Sequence, residues 1–456
     1  MAANGDSHPS NGVKPQALNE HNLTTRTKDA FQPNAKALPA HFSSYSQSTK
    51  SIHADDPLNL LADVAPPIHT STTFRYSRDP AELKPFRASD RPDKLLPFYQ
   101  DTTEHVYSRV TTHSTSRLEA ILEQIVGAPC VTYSSGLSSL HALLCYLNPK
   151  RVSIGDGYHG SHGVLKLHTR LNGLQLLPLD CPASDLEQGD LILLETPVNP
   201  YGLAFDISAY AAKAHSRGAY LLVDSTFAPP PLQDPFAHGA DCIMHSGTKY
   251  LGGHSDMLCG VLAIRTALAP TWIPQLLEDR EFIGAVMGSL EGWLGVRSVR
   301  TMELRVLRQS QSTDLIVAAL HSALTGKTSP ADSHLKPQDI TLVKKVLKKI
   351  HHASLQPHDD PSTASWLTKQ MPNGFGPVFS IELHTEDLAR TLPSKLFLFH
   401  HATSLGGVES LIEWRTMSDA TVSRGLLRVS VGIEAWEDLL ADLVQAFGRL
   451  VEEFGL

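Results

Sequence analysis

The sequence predicts an α/β protein in which a large domain with a mostly parallel, doubly wound sheet precedes a smaller C-terminal α/β domain. Short β-rich runs alternate with helical patterns from about residue 117 to 265. The chain is 456 residues long, beyond the roughly 250–300 residues at which a single core stops growing. Past about residue 327 a second set of strand-like and helical stretches begins.

Residues 1–50 are rich in Ser, Asn, His, Pro and Lys, with no apolar run, and read as a disordered tail. Asp6, Glu20 and Asp29 weigh against a transit peptide. The runs Cys130–Tyr133, Arg151–Ile154, Leu191–Leu194, Tyr220–Asp224, Cys242–His245 and Gly260–Ile264 read as buried strands, and each ends at a turn former or a polar residue. A helical stretch from about 275 to 325 bridges to the second domain, where Pro377–Leu383 is strand-like and Trp436–Glu453 is a final helix. Insertions at 84–104 and 326–338, rich in Pro, Lys, Asp and Ser, read as loops.

Hydrophobic residues at 41% and charged residues at 19% describe a soluble globular chain. A formal charge of −8 without a concentrated basic stretch argues against nucleic acid as a partner. No run reaches the roughly 18 apolar residues of a membrane span. Cys130, Cys145, Cys181, Cys242 and Cys259 occur singly, so neither a disulfide framework nor a zinc site is expected, and a reducing compartment fits. The pairs His351-His352 and His400-His401 lie in polar surroundings without a ligand set, so no metal is expected. Phe454-Gly455-Leu456 matches no targeting signal, leaving the cytoplasm as the default.

Lys249 lies in His245-Ser246-Gly247-Thr248-Lys249-Tyr250-Leu251-Gly252-Gly253-His254-Ser255-Asp256, among hydroxyls and glycines and just after an apolar run. Small neighbours let backbone and hydroxyl groups close around an anion, and a lysine in such a pocket can lose its proton and form a Schiff base with a carbonyl cofactor. Pyridoxal 5′-phosphate is that cofactor's obvious form. Its ring nitrogen demands a facing carboxylate, and Asp224 supplies one at the carboxyl end of a buried strand, where open α/β sheets bind ligands. Ser135-Gly136-Leu137 follows a strand and opens a helical pattern, so free N–H groups there can bind phosphate.

Six separated blocks then carry a resemblance: Tyr107-Ser108-Arg109, Ser134-Ser135-Gly136-Leu137, Asp156-Gly157-Tyr158-His159-Gly160, Glu195-Thr196-Pro197-Val198-Asn199-Pro200, Asp224 with Lys249, and Ser404-Leu405-Gly406-Gly407-Val408-Glu409-Ser410 followed by Leu427-Arg428-Val429-Ser430-Val431-Gly432. In this order the chain resembles the Cys/Met-metabolism family of pyridoxal-phosphate enzymes, with its cystathionine γ-synthases, β-lyases and γ-lyases, and hence fold-type I. The resemblance implies that the amides of Gly136 and Leu137 hold phosphate, aided by Ser246 and Thr248. It implies that Tyr158 stacks on the cofactor ring and assists proton transfer, that Asn199 lies near the ring hydroxyl, and that Lys249 is the catalytic amine. Arg428, supported by Ser404, would bind the substrate α-carboxylate. Tyr107 and Arg109 would reach the phosphate of a neighbouring subunit, making residues 51–116 an arm shared across a homodimer with common active sites, within a homotetramer. Residues 117–300 would form the cofactor-binding large domain, and 301–456 the linking helix and small domain.

Family members that act at the γ-carbon often carry a glutamate just before Ser-Leu-Gly-Gly, where this chain has Thr403. That departure favours a cystathionine β-lyase-like reaction on a sulfur amino acid, giving homocysteine, pyruvate and ammonia. γ-Replacement or γ-elimination is the alternative. A cofactor-binding protein without catalysis is a third reading, opposed by the intact Lys249, Asp224, Tyr158 and Arg428. Trp414-Arg415-Thr416-Met417-Ser418 and Glu434-Ala435 depart from the family pattern and are expected to lie outside the chemistry.

Overall fold

The computed structural model describes residues 38–59, 63–83, 105–326 and 334–456. Helix α1 (Gln47–His53) is capped by the Ser46 hydroxyl, and α2 (His113–Val126) opens on a capping box between Thr112 and Thr115. Then come β1 (Cys130–Tyr133), α3 (Gly136–Leu147), β2 (Arg151–Ile154), α4 (His159–Asn172), β3 (Gln175–Pro178), β4 (Leu191–Glu195), α5 (Ile207–His215), β5 (Tyr220–Asp224), β6 (Cys242–Ser246) and β7 (Gly260–Ile264). Three helices follow, α6 (Ala269–Ile283), α7 (Ser289–Val299) and α8 (Met302–Thr325). The last part contains α9 (Pro337–Val346), β8 (Leu347–His351), β9 (Val378–Leu383), β10 (His400–His401), β11 (Leu411–Trp414), β12 (Leu426–Ser430) and α10 (Trp436–Phe454).

The first seven strands form one sheet in the order β1-β7-β6-β5-β4-β2-β3. Within it β7 alone runs against its neighbours. The reason is the connection: parallel neighbours need a crossover, usually a helix, whereas the chain after β6 makes a short excursion and returns directly as β7. That excursion carries Lys249.

Side chains alternate faithfully across this sheet. Ile192, Leu194, Leu221, Val223, Ile243 and Val261 enter one core, against residues of α2, α5, α7 and the start of α8. Leu191, Leu193, Leu222, Met244 and Leu262 enter the other, against α3, α4 and α6. Burial on both faces is why these strands read as continuous apolar runs. The remaining strands form a second sheet, β10-β11-β12-β9-β8, mostly antiparallel, which packs with α9, α10 and the far half of α8 in a third core. Met302 and Val306 at the start of α8 belong to the first core, whereas Ile316 and Leu320 belong to the third.

Three expectations shift. The tail reading does not hold from residue 38 onward: Phe42 is buried in the first core and α1 begins at Gln47, because an aromatic ring and a capped turn anchor an otherwise polar segment. The stretch from 275 to 325 is three helices, since Gly284 (φ 72°) terminates α6. Strand β3 went unread because its Gln175 and Leu176 are exposed at the sheet edge, so no apolar pattern marks it. The insertion at 84–104 lies outside the described residues, as does 327–333 of the other; Pro337 and Gln338 already belong to α9.

Candidate active site

The carboxyl ends of β1, β4, β5 and β6 converge on one region. After β1, Ser135 caps α3 through a capping box with Ser138, so Gly136 and Leu137 are its first residues, at the positive helix end. A Cβ on Gly136 would sit 3.1 Å from Cβ of Ser246. The absence of a side chain at Gly136 lets the start of α3 approach the end of β6 closely. Ser246 in turn donates its backbone N–H to the Thr226 hydroxyl at 2.9 Å. The Thr248 hydroxyl spans the excursion, accepting from Cys259 N at 3.0 Å.

Lys249 is largely buried. Its Nζ donates to the Ser404 hydroxyl at 2.6 Å. Burial, reinforced by the nearby Arg428 guanidinium, brings its pKa down from 10.5 to about 8, against the pull of Glu413. A neutral amine is therefore accessible near neutral pH. Ser404 holds a left-handed backbone (φ 77°), which a non-glycine residue rarely adopts. There its hydroxyl meets Lys249 while its carbonyl accepts from Arg428 at 2.8 Å.

Asp224 and Glu195 are Cα partners at the ends of β5 and β4. Burial pushes both carboxyls above their usual range, and for Glu195 the neighbouring Asp224 charge adds to it. Two donors from Thr226, its N–H at 3.0 Å and its hydroxyl at 2.5 Å, fall on Oδ1 of Asp224 and favour its charged form. Each carboxyl has two donors, and the added Asp224 charge raises Glu195 the further, so Asp224 keeps its charge the more readily. Glu195 also accepts the backbone N–H of Tyr158 at 2.8 Å and of Asn199 at 2.7 Å. That arrangement fixes the loops bearing two further predicted residues.

Arg428 is 4% exposed. It donates to Oδ1 of Asn199 at 3.0 Å and to Glu413 at 2.7 Å. Arg415 donates to the same Glu413 oxygen at 2.8 Å, and Ser418 to the other at 2.8 Å. Burial works to raise the Glu413 pKa, but the two guanidinium groups outweigh it and hold the carboxyl below its usual range. Burial lowers Arg428 only to about 10, so it stays cationic. Sequence reasoning missed Glu413 and set Arg415 aside as remote, yet both belong to the network that holds Arg428. Glu434 accepts from Ser410 N and Oγ and so secures the loop after Gly406-Gly407.

The structure thus brings together Gly136, Leu137, Asn199, Asp224, Ser246, Thr248, Lys249, Ser404 and Arg428. Tyr158 caps α4 with its ring folded over Gly160, whose Cβ would also meet the Leu137 side chain at 3.1 Å. The residue is 37% exposed and so open to a stacking partner. Tyr107 and Arg109 are exposed, with the guanidinium 5.2 Å over the tyrosine ring. Among the described residues none of their contacts reaches Lys249, Asp224 or Arg428.

This set fits pyridoxal 5′-phosphate on its own geometry: a helix start narrowed by Gly136 for the phosphate, a lysine able to shed its proton, and a buried ionised carboxylate for a pyridinium. The model of the family described as Cys/Met metabolism PLP-dependent enzyme matches residues 48–448. A cystathionine beta-lyase of Lactococcus lactis is 33% identical over 388 residues, spanning 78% of this chain and 94% of its own. A cystathionine gamma-synthase of Escherichia coli is 30% identical over 406 residues, 84% of this chain and 93% of its own. The crystal structure of cystathionine gamma-lyase from yeast superposes with a TM-score of 0.72 at 27% identity, covering 91% of this chain and 99% of that one.

Proposed function

Because the chain belongs to the Cys/Met-metabolism family of PLP-dependent enzymes, we propose that it is a β-eliminating carbon–sulfur lyase, converting cystathionine and water into homocysteine, pyruvate and ammonia. Pyridoxal 5′-phosphate, when bound, supplies a carbonyl that captures the substrate amine and a cationic ring that stores the electrons of the broken Cα–H bond. Everything else falls to the protein. Gly136 and Leu137 offer helix-start amides to the phosphate, with the Ser246 and Thr248 hydroxyls beside them. Asp224 keeps the ring nitrogen protonated, and Tyr158 covers the ring. Asn199 stands beside both ring and substrate, since its side chain already accepts from Arg428. The guanidinium of Arg428 takes the α-carboxylate, and the amine of Lys249 accepts the α-proton.

One observation carries the reading: Ser404 links Lys249 Nζ through its hydroxyl and Arg428 through its carbonyl. A proton acceptor and a carboxylate binder are thereby held on either side of one residue, as α-proton removal from an amino acid needs. Thr403 favours the β-carbon, because it offers no acid to a distal amino group. Similarity to the E. coli cystathionine gamma-synthase, which reaches over a larger share of the chain, keeps γ-replacement as the second reading. We further assign Tyr107 and Arg109 to the phosphate of a partner subunit, in a homodimer with shared sites that pairs into a homotetramer, and we place the enzyme in the cytoplasm. No helix among the described residues is long and apolar enough to cross a membrane.

The test is incubation of the pyridoxal-phosphate-loaded protein with L-cystathionine and identification of the keto acid by mass spectrometry. Pyruvate with homocysteine supports β-elimination, and 2-oxobutyrate with cysteine moves the assignment to γ-elimination. No keto acid, with product formed from cysteine and an activated homoserine, establishes γ-replacement.

A further inference from the structure

We propose that His141, Cys145 and His168 form a zinc-binding site between α3 and α4, apart from the chemistry described above. His141 and Cys145 are four residues apart on α3 and so share one face; His168 faces them from α4. Nδ1 of His141 lies 2.9 Å from Nε2 of His168, and Sγ of Cys145 lies 3.9 Å from that same Nδ1. One ligand atom from each of the three residues falls within 4.8 Å of the others.

Two imidazoles and a thiolate suit Zn(II), whose sites combine nitrogen and sulfur in tetrahedral array. Bond lengths of roughly 2.0–2.1 Å to nitrogen and about 2.3 Å to sulfur place such ligand pairs about 3.3 Å and about 3.5 Å apart. The two separations at His141 Nδ1 lie within several tenths of an ångström of these, and the third pair, within 4.8 Å, closes by a rotation of the exposed Cys145 side chain at the helix surface. Three protein ligands leave a fourth position for water. His168 is 4% exposed, so its ring is held in place against α3 by the packing around it.

Cys145 is also unlike the other cysteines. Cys130, Cys181, Cys242 and Cys259 are buried, whereas Cys145 is exposed, and a metal can reach it from solvent. Binding replaces the S–H bond by S–Zn and sends that proton to solvent. It also breaks the hydrogen bond between the imidazoles: the ring that donated it changes tautomer by exchange with solvent, so that both rings carry their proton on the nitrogen away from the metal. Cysteine spacing alone carries no sign of such a site, because two of its ligands are histidines, one of them on the next helix. Helix α3 opens at Gly136 and α4 follows Tyr158, so the metal would clamp two helices whose starts line the cofactor site.

The experiment uses the holoenzyme, stripped with chelator, loaded with Zn(II) and desalted. Wild type is expected to retain one zinc per chain. Cys145→Ser and His168→Gln are expected to retain only background, because losing a direct ligand costs more than the roughly 10–100-fold that loss of an outer partner costs. Zinc should also protect Cys145 from iodoacetamide in the wild type, mapped by mass spectrometry. Cofactor absorbance and circular dichroism report folding, and if His168→Gln does not fold, Cys145→Ser and the alkylation experiment decide. Wild type without zinc, equal retention by Cys145→Ser, or unprotected Cys145 would each overturn the proposal, whatever the amino-acid substrate.

Discussion

Gly406→Ala is the substitution whose cost can be worked most directly from the structure. Gly406 has φ 85°, and a Cβ there would lie 2.9 Å from the carbonyl carbon of Lys249 and 2.9 Å from the amide nitrogen of Tyr250. Both are backbone atoms and cannot swing aside. They sit roughly half an ångström inside ordinary carbon contact at about 3.5 Å. The left-handed backbone costs alanine roughly 1–2 kcal/mol, and overpacking adds typically ~1–3 kcal/mol, for a total of about 2–5 kcal/mol. Relief has to come from the Lys249 backbone. A 1 Å misplacement costs about a hundredfold, so half of that predicts roughly a tenfold fall in kcat. Gly127→Ala is the matched control: φ is 79° and nothing lies within 4 Å of its Cβ, so it should lose only the backbone term and keep full activity. Keto-acid release and thermal unfolding of both holoenzymes make the comparison. A Gly406→Ala enzyme with wild-type kcat and unfolding temperature, or a Gly127→Ala enzyme equally slow, would refute the reasoning.

Arg428→Lys keeps a charge near Glu413 but cannot also serve Asn199 and Ser404; at roughly 1.5–3 kcal/mol per charged hydrogen bond, KM for the amino acid should rise about ten- to a hundredfold. Steady-state kinetics with unchanged cofactor absorbance check this, and an unaltered KM would remove Arg428 from substrate binding. Asp224→Asn retains the shape but loses the charge, so kcat should fall by roughly the same ten- to hundredfold, read in the same assay; near-normal turnover would discard Asp224 as the ring partner. For Lys249 the sign runs from burial: its pKa is lowered, so the reactive neutral form grows as pH rises through about 8. At pH 7 about one amine in ten is neutral, against about one in 3,000 for a lysine of pKa 10.5. Recapture of pyridoxal phosphate by apoenzyme should accelerate with a midpoint near pH 8 and level off above it, and a midpoint near 10.5 would contradict the burial argument.

The cofactor end of the site was legible because its signals are local. An apolar strand ending in Asp224, a glycine opening a helix at Gly136, and a lysine amid small residues each state their purpose within a few positions. Fold class followed from the same continuous strands, since burial on both faces leaves no alternation to misread. The substrate end was not legible in that way. Glu413 meets Arg428 only because β11 and β12 pair antiparallel with those two residues opposite each other, and no spacing rule reveals that register. Glu195 likewise faces Asp224 across two parallel strands separated in sequence by a whole helix. Strand β3 and the break at Gly284 were missed for a simpler reason: an exposed edge carries no apolar pattern, and a helix-ending glycine within a leucine-rich stretch looks like an interruption rather than an end.

Helix α8 runs from the core beneath Lys249 and Asp224 into the core beneath Arg428. The machinery that breaks bonds and the surface that chooses the amino acid therefore rest on separate cores, spanned by one helix and tied at the site itself by Ser404. Substitutions in the second sheet that leave Ser404 and Gly406 in place can retune the substrate repertoire while the proton-transfer apparatus stays intact. Such a division of labour lets one scaffold diversify into neighbouring chemistries by remodelling only one of its halves.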